Sequence, residues 1–243
     1  AIALRGLTVL PKMIIHFDIS RDKSIAALEK AMVEDQKVFL VTQKQADQAE
    51  PERVDLFQVG CIAMVKQLVK MPGKIIRVMV EGLTRAELVD MDMEGPYLVA
   101  EVETVLPGTQ LEPLEYVATE AMIRIVKEKL EEYGEVNPRM IKEILPNLLS
   151  IQDLEELLDQ IAIQIPWDYA FRQSVLESLY PSVRYEHVVH SLVSEIEVAK
   201  IKRDFQKKVK AAVDKNQKDY ILREQMRIIR KELEPDGGQA VLA

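Results

Sequence analysis

Two histidines, His187 and His190, come closest to metal-ligand spacing in this 243-residue chain. They lie three positions apart on a predicted helix, with Glu186 beside them, so one helix face can offer two ligands. A closed zinc site takes four ligands, and the single cysteine, Cys61, is far away in the sequence. The pattern therefore favours histidines that face the core or solvent, and we expect no metal ligands.

Nucleotide binding and nucleophilic catalysis also lack their motifs. Lys74 follows Gly73, but Leu68 stands at the first glycine position of a phosphate-binding loop and Ile75 at its hydroxyl position. No Gly-x-Ser-x-Gly turn occurs, and Cys61 sits in an apolar run typical of a small buried thiol. We expect no catalytic residue, no cofactor and no ATP hydrolysis in this chain.

Apolar residues on otherwise polar strand faces are the better candidates for a site. Strand alternation places Met79 outward between Arg77 and Glu81, and it places Ile14 outward beside His16. A hairpin tip adds Met71, and flexible methionines suit the recognition of varied partners. We predict a substrate-binding patch, although lone exposed apolar residues are common and a second layer could bury Met79. The candidate residues are Ile14, His16, Met71 and Met79.

Composition is typical of a water-soluble globular protein. Hydrophobic residues make up 48%, charged residues 30%, and the mean hydropathy is -0.06, without a run of about 20 apolar residues that could span a bilayer. The net charge of -8 disfavours a general nucleic-acid binder. Residues 195–233 depart from this average, because 12 basic and 7 acidic residues give that segment a charge of +5. The single cysteine fits a reducing cytoplasm.

The elements that must position these residues change character along the chain. Up to about residue 106, short β-branched runs predict a mostly antiparallel sheet. One helix begins near Asp22, a predicted N-cap, with Ile25, Leu28, Ala31 and Met32 on one face. The run MPGK at residues 71–74 predicts a type II turn. The predicted strands are residues 7–10, 13–19, 38–42, 59–69, 75–81, 86–91 and 98–105.

Helical periodicity follows a Pro- and Gly-containing boundary at residues 106–114. We predict helices at residues 114–133, 138–149, 151–165 and 169–178. Residues 183–234 contain neither Pro nor Gly and predict one long helix. The predicted fold class is α+β. Its parts are a β-rich subdomain (1–108), a helical bundle (109–181), the long helix (182–235) and a frayed tail (236–243).

The long helix carries two apolar stripes with a spacing of three and four residues. The first runs from Val198 through Ile201 to Ala212 and is continued by Asn216, and the second, on a shifted face, ends at Leu233. This pattern indicates two successive partners, as in a coiled coil, whereas the alternative is a solvated helix with a single core stripe. The candidates for oligomerisation are Phe205, Val209, Tyr220, Leu222, Met226 and Ile229.

Several ordered motifs carry a family resemblance across the chain. They include LRGLTVLP at residues 4–11, RDKSI at 21–25, RVMVEGL at 77–83 with Arg85, and QKDYILREQM at 217–226. Weaker matches are Asp159, Gln173 and Arg184 with their neighbours. Together they resemble the N-terminal part of bacterial Lon ATP-dependent proteases.

The resemblance implies a PUA-like β subdomain, a helical bundle and a long helix leading to an AAA+ ATPase and a Ser-Lys protease. The chain would then be a non-catalytic fragment that ends before the AAA+ module and recognises unfolded or damaged proteins in cytoplasmic protein quality control. ATP and Mg²⁺ would bind only in the missing module. The implied partners are protein substrates, the chain's own ATPase and protease modules, and further copies in a hexamer.

A second interpretation of the residues belongs to another class. The +5 segment after a β-rich subdomain is also compatible with a free-standing PUA-like regulator or RNA-binding protein. Against it, charges of both signs alternate along the segment, as on a solvated helix. The β half also lacks a basic cluster interleaved with aromatic residues.

Overall fold

The computed structural model describes residues 1–105, 116–137 and 143–233, with no side-chain description for Tyr116 or residues 231–233. The chain forms two compact units, Ala1–Val193 and Ser194–Ala243, which are described separately below. The predicted boundary at 106–114, the first residues of the helix predicted at 138–149 and the tail at 236–243 lie outside the described residues. The predicted division at residues 108 and 181 stays a prediction.

A six-stranded sheet forms the first half of the chain. Its order is β1-β3-β4-β5-β2, and β6 pairs with the second half of β5. β1 and β3 run parallel, whereas all the other pairs are antiparallel. This sheet, followed by helices, confirms the predicted α+β class. The strands are β1 (Ile2–Leu4), β2 (Ile14–Ile19), β3 (Lys37–Thr42), β4 (Val59–Met71), β5 (Ile75–Asp92) and β6 (Val99–Thr104).

Two strand predictions were wrong in detail, and both involve Gly82. The predicted strands 75–81 and 86–91 are one strand, β5, and residues 7–10 are not a strand although Val9 and Leu10 are buried. The Gly82 N–H donates to the Met13 carbonyl oxygen at 2.8 Å, and a Cβ on Gly82 would lie 2.1 Å from the Leu10 carbonyl oxygen. The missing side chain therefore lets residues 10–13 cross β5 at close range, where they pack without joining the ladder.

The predicted hairpin and first helix are present. Gly73, at the tip between β4 and β5, has a φ of 82°, the value that the third position of a type II turn requires.

Helix α1 (Asp22–Val33) has Arg21 rather than Asp22 at its N-cap. The predicted apolar face was partly wrong, because Met32 is exposed and the buried face is built largely from small residues, which allow close packing. The buried residues are Ser24, Ala27, Leu28 and Ala31.

Five further helices follow among the described residues, and their bounds agree closely with the helical pattern except for the helix predicted at 138–149, whose described part is Leu145–Ser150. Asp153 and Asp168 accept hydrogen bonds from the N–H groups of Glu156 and Phe171 and so cap two helix starts. The long helix predicted from residue 183 begins at Pro181, where a missing N–H has no cost. The helices are α2 (Tyr116–Val136), α3 (Leu145–Ser150), α4 (Leu154–Gln164), α5 (Tyr169–Glu177) and α6 (Pro181–Leu233).

A buried ionic cluster ties the sheet to the helices within the first unit. Arg85 of β5 donates two hydrogen bonds to the carboxylate of Asp159 on α4, at 2.8 and 2.6 Å. Arg184, at the start of α6, lies 3.4 Å from the same carboxylate and donates to the Ser178 carbonyl oxygen. Burial lowers the pKa of Arg184. This cluster holds β5, and therefore the sheet faces on either side of it, in a fixed position relative to α4.

Candidate functional site

Four of the predicted site residues lie on one exposed face of the sheet, which we call the outer face. It is formed by β2, β5 and β4, whose directly opposite residues share a side of the sheet. His16 is opposite Met79, which in turn is opposite Gln67, and Ile14 is opposite Glu81. The other side of β5 is buried, with Val78 and Val80 fully inaccessible. The alternation predicted for β2 and β5 is therefore confirmed.

The outer face exposes apolar surface. The side chain of Ile14 is 64% exposed, His16 is exposed, and Met79 is half-buried between its neighbours. Met71 is 38% exposed and lies on the same face, two rows closer to the hairpin tip. The structure thus brings Ile14, His16 and Met79 into adjacent positions and leaves Met71 at the margin. Their role in binding stays a prediction.

Val69 belongs to the outer face and was missed in the sequence. Simple alternation puts Val69 on the same side as the buried Val65, four residues earlier. A β-bulge between Val65 and Gln67 inserts one extra residue, Lys66, and moves Val69 to the opposite side, where it is 43% exposed. The sequence signal for this bulge was the pair of consecutive polar residues, Lys66 and Gln67, which interrupts the apolar alternation.

Charged groups on the outer face are paired with one another. Arg77 donates two hydrogen bonds to Asp18, at 2.7 and 2.9 Å, and these bonds lower the pKa of Asp18. Lys66 lies 2.6 Å from a carboxylate oxygen of Glu81. Because each charge has an opposite partner, the face presents apolar side chains between neutralised pairs. Such a surface can contact apolar groups without attracting either sign of charge strongly.

The second unit has a different exposed surface, along α6. All six candidates for oligomerisation are exposed, from 45% for Val209 to 68% for Tyr220. Val198, Ile201 and Val213 are also more than half exposed. The described part of this helix therefore displays both predicted stripes, and their use in assembly stays a prediction.

The two histidines and the cysteine that were weighed as metal ligands or nucleophiles lie on an exposed helix surface and in the core, respectively. His187 is exposed, and its Nδ1 lies 3.1 Å from the Ser178 hydroxyl, while His190 is exposed on the same helix. Among the residues that the structure describes, no group of three or more potential metal ligands occurs. Cys61 is fully buried, and burial raises the pKa of its thiol to about 12, so it stays protonated at neutral pH. None of the described helices combines the length and hydropathy needed to cross a membrane.

The sequence is similar to one family of known proteins. The family described as the ATP-dependent protease La (LON) substrate-binding domain matches residues 1–194. The chain is 41% identical over 232 residues to the Lon protease of Lachnoclostridium phytofermentans and 38% identical over 233 residues to that of Clostridioides difficile. These matches cover 96% of this chain but only 28% and 30% of the relatives, so the chain spans less than a third of their length.

Solved structures show the same fold at low sequence identity. The N-terminal domain of the Mycobacterium avium complex Lon protease superposes with a TM-score of 0.62 at 20% identity, covering 81% of this chain and 96% of that domain. The Lon N-terminal domain protein from Xanthomonas campestris gives a TM-score of 0.50 at 12% identity, covering 78% and 95%. At these identities the likeness concerns the fold alone.

Proposed function

Since the chain belongs to the family of Lon substrate-binding domains, we propose that it recognises unfolded or damaged proteins for an ATP-dependent Ser-Lys protease and supports assembly of that protease. Recognition is the role that the family name implies.

The exposed outer face is the observation that carries the recognition role. Folded proteins bury most of their apolar side chains, whereas unfolded chains expose them, so an apolar surface distinguishes the two states. Ile14, Val69, Met71 and Met79 supply such a surface on a rigid sheet. Methionine adapts to many shapes, which suits contacts that tolerate any sequence.

Multiple copies would make weak contacts effective. A single apolar patch of this size binds weakly, because association costs translational and rotational freedom. When several copies are held in one assembly, a chain bound to one copy meets the next at a high effective concentration. We expect a homo-oligomer, a hexamer in the full-length protease, to retain an unfolded chain in this way.

The assembly role rests on the exposed stripes of α6. Phe205 and Val209 belong to the first stripe, and Leu222, Met226 and Ile229 belong to the second. Apolar residues at this spacing are typical of helices that pack against other helices. We propose that these stripes contact other copies or the ATPase and protease modules of the parent protein. In that protein, ATP and Mg²⁺ would bind to the ATPase module and this chain would hold no cofactor, in a cytoplasmic setting.

The recognition role is tested by comparing two states of one protein. We expect the 243-residue chain to bind a reduced, carbamidomethylated protein at least tenfold more tightly than the same protein in its folded state, measured by fluorescence anisotropy. Equal affinity for the two states, or no binding to either, would contradict the recognition role.

The outer face is tested by substitution in the same assay. Ile14→Ser together with Met79→Ser removes two apolar side chains, and we expect affinity for the unfolded protein to fall severalfold. Val54→Ser is the matched control, because Val54 is 70% exposed and lies in a short 3-10 helix outside the outer face. Thermal unfolding must show that both variants stay folded. Equal losses in the variant and the control would place recognition elsewhere.

A further inference from the structure

A small cavity, separate from the outer face, lies where β1, the end of β2 and the start of α1 meet. Its volume is about 120 Å³, enough for several water molecules at about 30 Å³ each, or for a small anionic group. One side of the cavity is apolar and includes Ile2, Leu4, Leu7, Phe17 and Ile19. Arginine and serine residues line the other side.

The first turn of α1 brings hydrogen-bond donors to the polar side of the cavity. Helix α1 has 12 residues and no side-chain cap at Arg21, and the first N–H bonded within the helix is that of Ile25. The preceding N–H groups lie at the positive end of the helix dipole, and of the first-turn residues that carry them Ser24 lines the cavity while Asp22 and Lys23 do not. Ser24 lines the cavity and is only 4% exposed, and its hydroxyl, which is not sealed from solvent, has no hydrogen-bond partner among the described residues.

Two arginines at the cavity have no carboxylate partner within 4 Å among the described residues. Arg5 donates to the Ala49 carbonyl oxygen at 2.9 Å. Arg21 donates to the side-chain oxygen of Gln43 and to two backbone carbonyl oxygens. Burial, followed by the nearby charge of Arg5, lowers the pKa of Arg21, while Glu50 acts in the opposite direction.

Other carboxylates near the cavity do not cancel this positive charge. Asp18 also lines the cavity, but both of its oxygens accept hydrogen bonds from Arg77. Asp22 is exposed in the first turn of α1 and makes no ion pair with Arg5 or Arg21 within the described residues. The polar side is therefore suited to an anion.

We propose that this cavity binds a carboxylate attached to an apolar group, which is the chemistry of the C-terminal residue of a protein chain. Charge-assisted hydrogen bonds from guanidinium, backbone N–H and hydroxyl groups suit a carboxylate, and the apolar side suits an aliphatic side chain. Inorganic phosphate is a poorer match because half of the lining offers it no donor. The inference rests on the proposed recognition of protein substrates and adds a site for chain ends.

The outer face does not involve these polar groups, and of the three only Arg21 bonds to a buried side chain, that of Gln43. Arg5 lies in the motif LRGLTVLP, and Arg21 and Ser24 lie in RDKSI, two of the motifs that carry the family resemblance. Packing explains apolar residues of the first motif, such as Leu4 and Leu10, which are buried. A carboxylate site gives the remaining arginines and the buried serine a common role.

Two peptides that differ only at the C-terminus test the proposal without any variant of the protein. A fluorescein-labelled Gly-Gly-Ala-Leu peptide is titrated with the 243-residue chain, once as the free acid and once as the C-terminal amide. We expect the free acid to bind at least tenfold more tightly, and more weakly as salt is raised. Equal binding of acid and amide, or no binding of either, would overturn the proposal.

Variants and a competitor then locate the site. Arg5→Gln and, separately, Ser24→Val should each reduce binding of the free acid at least threefold, whereas Arg124→Gln, which removes a 72% exposed arginine on α2, should have no effect. Inorganic phosphate at millimolar concentration should displace little peptide. Full displacement by phosphate, or an equal loss in the Arg124→Gln variant, would reject the carboxylate site.

Failure of this inference is distinguishable from failure of the proposed function. An unfolded protein that still binds tightly while the acid and amide peptides bind equally would leave the outer face as the recognition surface and remove the carboxylate site. Loss of unfolded-protein binding together with a retained preference for the free acid would do the reverse.

Discussion

Asp159 is the residue on which two buried arginines depend. Its carboxylate is 10% exposed and accepts from Arg85 while lying 3.4 Å from Arg184, which is 1% exposed. Removing the charge of Asp159 leaves Arg85 buried, charged and without a carboxylate partner, while Arg184 keeps only Glu155 at 3.6 Å. Breaking a buried ion pair in this way costs about 3–5 kcal/mol. We therefore expect Asp159→Asn to lower the free energy of unfolding by about this amount, measured by urea denaturation.

Asp18→Asn is the matched control for Asp159. It removes a similar two-bond contact to an arginine, Arg77, but on the solvent-exposed outer face. Because water and salt screen exposed pairs, its effect should be much smaller. Equal losses in the two variants would show that the buried cluster does not hold the sheet against α4.

The sequence predicted which side chains are exposed better than it predicted which side chains contact each other. Period-two alternation was enough to place Ile14, His16 and Met79 outward, since each strand has only two sides. Asp159 and Arg184 matched family motifs, but Asp159 contacts Arg85 from 74 positions away and Arg184 from 25 positions away, and no local pattern reports such pairings. The Ser24 hydroxyl beside the cavity was hidden for the same reason.

At the scale of elements, the bulge in β4 decides the composition of the outer face. Without Lys66 as the extra residue, Val69 and Met71 would lie on the buried side with Val65. A bulge leaves one residue without a partner in the ladder, and its position is set by contacts with the neighbouring strand. The strand itself was predictable, whereas this change of face required the register against β5.

Gly82 allows the strand β5 to continue beneath residues 10–13. A Cβ at this position would approach the Leu10 carbonyl oxygen to 2.1 Å, and because that atom belongs to the backbone, relief requires the chain to move. We expect Gly82→Ala to lower the free energy of unfolding by about 3 kcal/mol, the upper end for overpacking. Thermal or urea denaturation measures it.

Gly73 supplies the comparison for Gly82. A Cβ at Gly73 has no heavy atom within 4 Å, but the φ of 82° strains any other residue. Gly73→Ala should therefore cost only about 1 kcal/mol. A Gly82→Ala variant as stable as Gly73→Ala would mean that residues 10–13 do not cross β5 at this distance.

At the scale of the whole molecule, charge and family membership separate the two functional interpretations. The chain carries a net charge of -8, and its family match covers residues 1–194, which include the entire sheet. The basic excess lies in residues 195–233, where acidic residues are interspersed along an exposed helix. This distribution favours contacts between helices over backbone binding to RNA, because phosphate binding needs clustered cations.

Self-association should depend on the exposed stripes of α6. Phe205→Ser together with Leu222→Ser removes one residue from each stripe, with exposures of 66% and 57%. If these stripes pair with other copies, the variant should show a lower average mass than the unchanged chain in light scattering at the same concentration. Lys207→Ser is the control, since Lys207 is exposed on the same helix but outside both stripes. A mass that is equal in all three proteins would contradict this assembly role.

The central claim, that the outer face grips unfolded protein, is tested most directly with methyl-labelled methionine. The chain has 10 methionines, and three of them, Met64, Met71 and Met79, lie on the outer face, since Met64 is opposite Glu81. Upon addition of a reduced, carbamidomethylated protein, we predict that the NMR signals of Met71 and Met79 shift while that of Met32 does not. Met32 is 37% exposed, almost the same as Met71 at 38%, but lies on α1. Unchanged Met71 and Met79 signals alongside a shifted Met32 signal would contradict the claim.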